Sequence, residues 1–392
     1  MSKKYFTDVA SMSASYTEKH IIYCRKISDG IHSICRKDTG SADTLNALAG
    51  MYGHCERLLA SDIEARRVIG EKLGQLLCDV RRKLPLTKRL YFITLISDLG
   101  VTSDRSPVVY VKEYENKARR ALTSANMNAV IILEPHSLPN QPGGGKGGSL
   151  ILSAHCIAWA KDDSSRKDII SKLEGSSWQC ELGARPVDVK RIRDGDINIL
   201  SVSNYVVKLP VGAKNMVPSR KKPGTFRFRD TIVGNRPSVA FRLMEVLSQI
   251  DMLDLISGVG EGSKIRQDLR AHVTKWHRDR RRGPNFIPAD FDIWRFWLNL
   301  RQGAGSENYL PVRINTPMPQ KPKPEKPLRW PTRKRFKLPR KPKIVALAPS
   351  TKQRLRARPK KAKIDTKPPF ASWKAEKARR ASFMRSIRDK RK

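Results

Sequence analysis

Tyr205 and Lys208, three residues apart in Asn204-Tyr205-Val206-Val207-Lys208-Leu209-Pro210, have the types and spacing for covalent chemistry. A phenol that attacks phosphorus cuts a strand and conserves the bond as a phosphotyrosyl ester. The charge on such a phosphate must be neutralised, by a nearby cation and by a divalent metal. If residues 203–209 are helical, one turn separates Tyr205 from Lys208 and both reach one phosphate. By itself the spacing also fits a core tyrosine beside a lysine snorkelling to solvent. Metal ligands are sought in Leu150-Ile151-Leu152-Ser153-Ala154-His155-Cys156-Ile157-Ala158-Trp159, an apolar strand pattern in which Ser153 and His155 project together. Glu134, at the end of the neighbouring strand candidate, adds a carboxylate to that face. His136 follows two residues later, with Pro135 between them leaving its direction open. A carboxylate with imidazole suits Mg²⁺ or Mn²⁺ in a partly hydrated site.

Charge narrows the partner. The 392 residues carry a formal net charge of +41, too basic for an ordinary metabolic enzyme, and the balance points to a polyanion. Residues 321–392 hold 28 Lys+Arg against 4 Asp+Glu, so the tail supplies +24 and the rest of the chain is basic in its own right. The six cysteines (Cys24, Cys35, Cys55, Cys78, Cys156 and Cys180) include no CxxC pair, which argues against structural zinc and for reduced thiols in a cytosolic protein. The first residues are polar, unlike a signal core, and no apolar run reaches the ~18–20 residues of a membrane span. The expectation is a cytoplasmic protein with no membrane partner.

The elements that must position these residues read as α+β. Strands are expected at 89–97, 128–134, 149–159, 186–192 and 202–208, and helices at 110–125 and 162–174, giving an antiparallel sheet with helices on one face. Residues 1–87 read as a helical N-terminal extension, with apolar stripes through Leu45–Leu59 and Ile63–Val80. The core spans 88–220, a mainly helical part 221–315, and a disordered Pro/Lys/Arg-rich tail 316–392. Residues 139–148 read as a flexible hairpin loop, and its Gly-Lys-Gly lacks the Lys-Ser/Thr of a phosphate-binding loop. Trp294 and Trp297, at helical spacing with Phe291 and Phe296, read as core more than as base-stacking groups. A helix-turn-helix within 236–280 is a candidate for sequence recognition.

In order and spacing, Thr94-Leu95-Ile96, then Ser153-Ala154-His155 with Trp159, then Tyr205 with Lys208, resemble the three motifs of rolling-circle replication initiators. These are plasmid and phage members of the HUH (histidine–hydrophobe–histidine) endonuclease superfamily. The resemblance covers about residues 88–215. It implies an HUH/RRM-like palm and a metal-dependent enzyme that nicks single-stranded origin or plasmid DNA in the bacterial cytoplasm. Tyr205 would form a 5′-phosphotyrosyl link and release a 3′-hydroxyl, Lys208 would stabilise charge, and His155 with Glu134 would hold the metal. Host helicase and polymerase are the implied protein partners. One departure stands out, because Ser153 occupies the first histidine position and a hydroxyl is a poor neutral ligand. Glu134 and His155 with water, or His136 as a substitute, would keep the metal. Otherwise the chain is a noncatalytic nucleic-acid-binding protein with a degenerate site. A basic RNA-associated protein unrelated to this family is the remaining reading, and it requires that residues 134, 155 and 205 do not converge.

Overall fold

In the computed structural model, the long alternating apolar runs pair as one antiparallel sheet of five strands. The structure describes residues 25, 28–31, 39–51, 53–138, 148–175, 178–180, 184–208, 214–218, 226–230, 237–280, 285–303 and 312–315. In chain order these form α1 (Thr39–Leu48), β1 (His54–Cys55), α2 (Ile63–Lys83), β2 (Tyr91–Ser103), β3 (Val108–Val109), α3 (Val111–Ser124), β4 (Met127–Leu138) and β5 (Ser149–Ala160). There follow α4 (Arg166–Glu174), β6 (Val187–Arg191), α5 (Asp196–Val207), β7 (Lys214–Pro218), β8 (Phe226–Asp230), α6 (Pro237–Ser248) and β9 (Ile256–Val259). The last are α7 (Gly262–Asp279), β10 (Phe286–Ile287), α8 (Ile293–Gly303) and β11 (Arg313–Ile314). The fold class is α+β. The expected tail 316–392 and the loop 139–147 lie outside the described residues.

The sheet order is β6-β2-β5-β4-β9, so β5 and β4 are interior, and each is buried along its whole length. Burial on both faces requires cover on both faces. Tyr114 of α3 lies beside Cys156 on one face, and its hydroxyl donates to the Leu95 carbonyl at 3.0 Å. The other face carries His155, and α5 lays Tyr205 against it. The expected arrangement with helices on one face is therefore corrected to helices on both.

Two further differences concern apolar runs. Residues 202–208, expected as a strand, are instead the last turns of helix α5, up to Val207, and its cap, Lys208. Val202, Val206 and Val207 favour extended backbone, but Ile199, Ser203, Val206 and Val207 share one buried helical side, and tertiary packing overrides propensity. Between α6 and α7 the chain makes a 3₁₀ turn (Met252–Leu255) and then β9, which pairs with β4 from Ala129 to Ile132. The 236–280 segment is thus no helix-turn-helix.

Helix α2 is terminated as its sequence dictates. The Asp62 side chain accepts from the Ala65 amide at 2.9 Å, Glu64 sits in the first turn, and Arg81, Arg82 and Lys83 end it. Its Ile69 and Leu73 belong to the same buried core as Ile93 of the sheet and Leu247 of α6. Trp297 is buried in that core, while Trp294 is exposed.

Candidate active site

Strand register assembles the polar cluster. Thr94, His155 and Ile132 lie in one row across β2, β5 and β4, and the next row pairs Ser153 with Glu134. His136, two residues beyond Glu134 on β4, therefore faces the same way. Pro135 does not divert the strand. Beyond Ile132 the β9 pairing has ended, so Pro135 sits where β4 has one partner strand, a position that tolerates a missing N–H.

The result is a group of three ligand-bearing side chains, Glu134, His136 and His155, whose ligand atoms lie within 4.8 Å of one another. Nε2 of His155 is 2.7 Å and Nε2 of His136 is 3.1 Å from the same Glu134 oxygen, Oε2. All three residues are buried, yet neither Glu134 carboxylate oxygen receives a hydrogen bond of good angle. A buried carboxylate without directed donors requires a compensating positive charge. Burial pushes the Glu134 carboxyl up, but the charge of His136, polar contacts from His136 and His155, and the charge of Lys208 outweigh it. The carboxyl is held well below its usual range. Two imidazoles and a carboxylate crowded on one oxygen form a donor set that fits a divalent ion, so this group can hold a metal.

Ser153 is brought to the group without joining it. Its hydroxyl donates to the Glu134 backbone carbonyl at 3.2 Å and stands 3.5 Å from Nε2 of His155. The second imidazole thus comes from β4 instead of β5. Thr94 Oγ1 lies 3.3 Å from Nδ1 of His155. With the Nδ1 proton donated to Thr94, the Nε2 lone pair is left for a metal. Phe92 stacks on the His155 ring at 5.4 Å and 19°, fixing its plane. Phe92 carries no chemical signal in the sequence beyond an apolar strand, and the Thr94-Leu95-Ile96 motif names no partner for Thr94; register beside His155 gives both a role.

Tyr205 and Lys208 arrive from α5. The Tyr205 ring meets Phe92 edge-on at 5.8 Å and His155 at 6.1 Å between centroids, and the residue is 43% exposed. Lys208, the residue that ends the helix, places Nζ 3.4 Å from the Tyr205 ring centroid. That contact is a cation–π pair, and it keeps the ammonium beside the phenol. The structure thus gathers Glu134, His136, Ser153, His155, Tyr205 and Lys208 on one sheet face, open to solvent at the tyrosine.

No family model matches the chain, no curated protein matches it, and no solved structure matches it. The geometry is the basis for a functional reading. Among the described residues no helix is long and apolar enough to cross a membrane.

Proposed function

We propose that the protein is a rolling-circle replication initiator of the HUH type, which nicks single-stranded DNA through Tyr205. The observation that carries this reading is the convergence of an accessible tyrosine, a lysine on its ring and a buried Glu-His-His group on one face of the sheet. An unrelated RNA-associated protein has no need for residues 134, 155 and 205 to meet. The surplus charge of +41 supplies the affinity for a polyanion, and that part of the binding is salt-sensitive and independent of sequence.

In the proposed step the Tyr205 oxygen forms a bond to the scissile phosphorus as its phenolic proton leaves to solvent. The P–O3′ bond breaks, its electron pair stays on O3′, and a proton from solvent completes the 3′-hydroxyl. The fragment on the 3′ side of the nick remains on Tyr205 through its 5′-phosphate, as a phosphotyrosyl ester. Lys208 stabilises the incipient phenolate and the phosphate oxygens. Glu134, His136 and His155 would hold Mg²⁺ or Mn²⁺, which would supply Lewis-acid polarisation of the phosphate. The cellular setting is the bacterial cytoplasm, where a host helicase and polymerase use the released 3′-end.

The test is incubation of the full chain with Mn²⁺ and a random pool of single-stranded oligonucleotides, followed by denaturing electrophoresis. A covalent adduct is expected, with Tyr205→Phe reducing it by about three orders of magnitude or more, the scale of losing a nucleophile. DNA binding without any adduct would establish the noncatalytic alternative. An adduct that persists in Tyr205→Phe would exclude Tyr205 as the nucleophile.

A further inference from the structure

Arg66 is 3% exposed, rare for an arginine, and it lies on α2 in line with Gly70 and Gly74 at the helical spacing of four. This stripe faces α5. A Cβ at Gly70 would meet Asn204 Oδ1 at 2.5 Å and Val207 Cγ2 at 2.9 Å, and one at Gly74 would meet Leu200 Cδ2 at 2.5 Å. The two helices therefore approach at backbone distance along the side of α5 that adjoins Tyr205.

At the end of that contact the Arg66 guanidinium closes the helix. Its Nε donates to the Ala60 carbonyl at 2.7 Å, and one Nη donates to the carbonyls of Val207 at 3.0 Å and Lys208 at 3.1 Å. The last carbonyls of a helix have no partner within it, and they attract a cation. The opposite end of α5 is tied by Arg82 to Asp196 at 2.7 Å and the preceding loop by Arg81 to Asp194 at 3.0 Å. Both pairs are solvated on at least one side and weakly constraining. The buried fork of Arg66 is what fixes the axial position of the helix end, hence of Lys208 and of Tyr205 one turn earlier.

We infer that Arg66 is a positioning residue for the nucleophile, acting through the α5 backbone and touching neither phosphate nor metal ligands. The inference rests on the nicking reading for its kinetic consequence, and it assigns to a segment upstream of the sheet a part in the site. A lysine cannot replace the fork, because an ammonium lacks the planar donors that hold Ala60 and the two α5 carbonyls together.

The experiment compares full-length wild type, Arg66→Lys and Arg66→Ala, each with 3-fluorotyrosine at position 205. It follows thermal unfolding, Mn²⁺ affinity, fluorine resonance and adduct rate at saturating DNA. Arg66→Lys is expected to unfold cooperatively and to bind Mn²⁺ within about twofold of wild type. Its adduct rate should fall about tenfold, and that of Arg66→Ala about a hundredfold, the cost of a misplaced reacting group. The fluorine line should shift or broaden in both. The inference is overturned if folded Arg66→Lys keeps the wild-type resonance and rate. A parallel loss of Mn²⁺ affinity, or loss of cooperative folding in both variants, would also overturn it by making Arg66 a support of the whole fold. If wild type itself forms no adduct, the nicking reading falls, while the fluorine line still decides whether Arg66 positions Tyr205.

Discussion

The two walls of the site are built in opposite ways. Glu134, His136, His155 and Thr94 stand on paired strands of the sheet, where register against a neighbour sets their direction, and all but Thr94 are buried. Tyr205 and Lys208 stand at the end of a helix that touches this face through ring contacts, with Tyr205 partly open to solvent. A metal group gains from rigidity, since ligand atoms must be held to a fraction of an ångström. A nucleophile that links to a polymer needs room to admit the strand. The sheet wall therefore carries its own positioning, and the helix wall depends on clamping from α2.

The largest effect is expected where one wall can be rebuilt. His136→Ala should weaken Mn²⁺ binding about a hundredfold, at or above the upper end of what loss of a supporting residue costs. Ser153 stands on β5 beside the same carboxylate, so His136→Ala with Ser153→His should regain affinity to within about tenfold of wild type. Calorimetric Mn²⁺ titration of the two variants and wild type checks both statements. Undiminished affinity in His136→Ala would remove it from the ligand set and leave the sheet wall with two ligands.

On the helix wall the expected effect is on stability and reverses an ordinary rule. Gly→Ala inside a helix normally stabilises by about 1 kcal/mol. At Gly70 the new methyl would collide with Asn204 and Val207, and overpacking costs about 1–3 kcal/mol. Gly70→Ala should thus lower stability by up to about 2 kcal/mol in urea unfolding and slow adduct formation, with Mn²⁺ affinity unchanged. A stabilised variant would mean that α2 and α5 can separate freely, and the contrast between the walls would fail.

Much of the sheet wall was legible in the sequence, because alternation on a strand declares its own faces. Glu134 and His155 followed from that period, as did Ser153. The direction of His136 was not legible, since what keeps β4 straight through Pro135 is the end of the β9 pairing, a tertiary fact. β9 itself is four residues at the end of an apolar run and shows no alternation to read. On the helix wall Tyr205 and Lys208 do come to the sheet face, but on a helix where a strand was expected, because three valines favour a strand in isolation. Arg66 was invisible: in the Arg66-Arg67 pair of an amphipathic helix either arginine reads as solvated until the i+4 and i+8 glycines of Arg66 are seen to admit another helix.

The smallest effect separates the walls by pH in the metal-free protein. The Glu134 carboxyl is depressed in the folded state, with burial opposing and the charge of His136, contacts from both histidines and the charge of Lys208 prevailing. A group whose folded pKa lies below its unfolded value contributes stability that is complete above the unfolded value. That contribution is lost as pH falls through the folded one. The ordinary glutamate value is 4.5, so the advantage of wild type over Glu134→Gln should be level just above pH 4.5 and shrink below it. Paired urea unfolding curves between about pH 3 and pH 6 span that window. The Arg66 hydrogen bonds to backbone carbonyls involve no carboxylate, so the difference between wild type and Arg66→Lys should stay flat across the same range. If both differences bend together with acid, the Arg66 clamp is coupled to the ionisation of Glu134. If only the Glu134 difference bends, the clamp acts independently of that carboxylate.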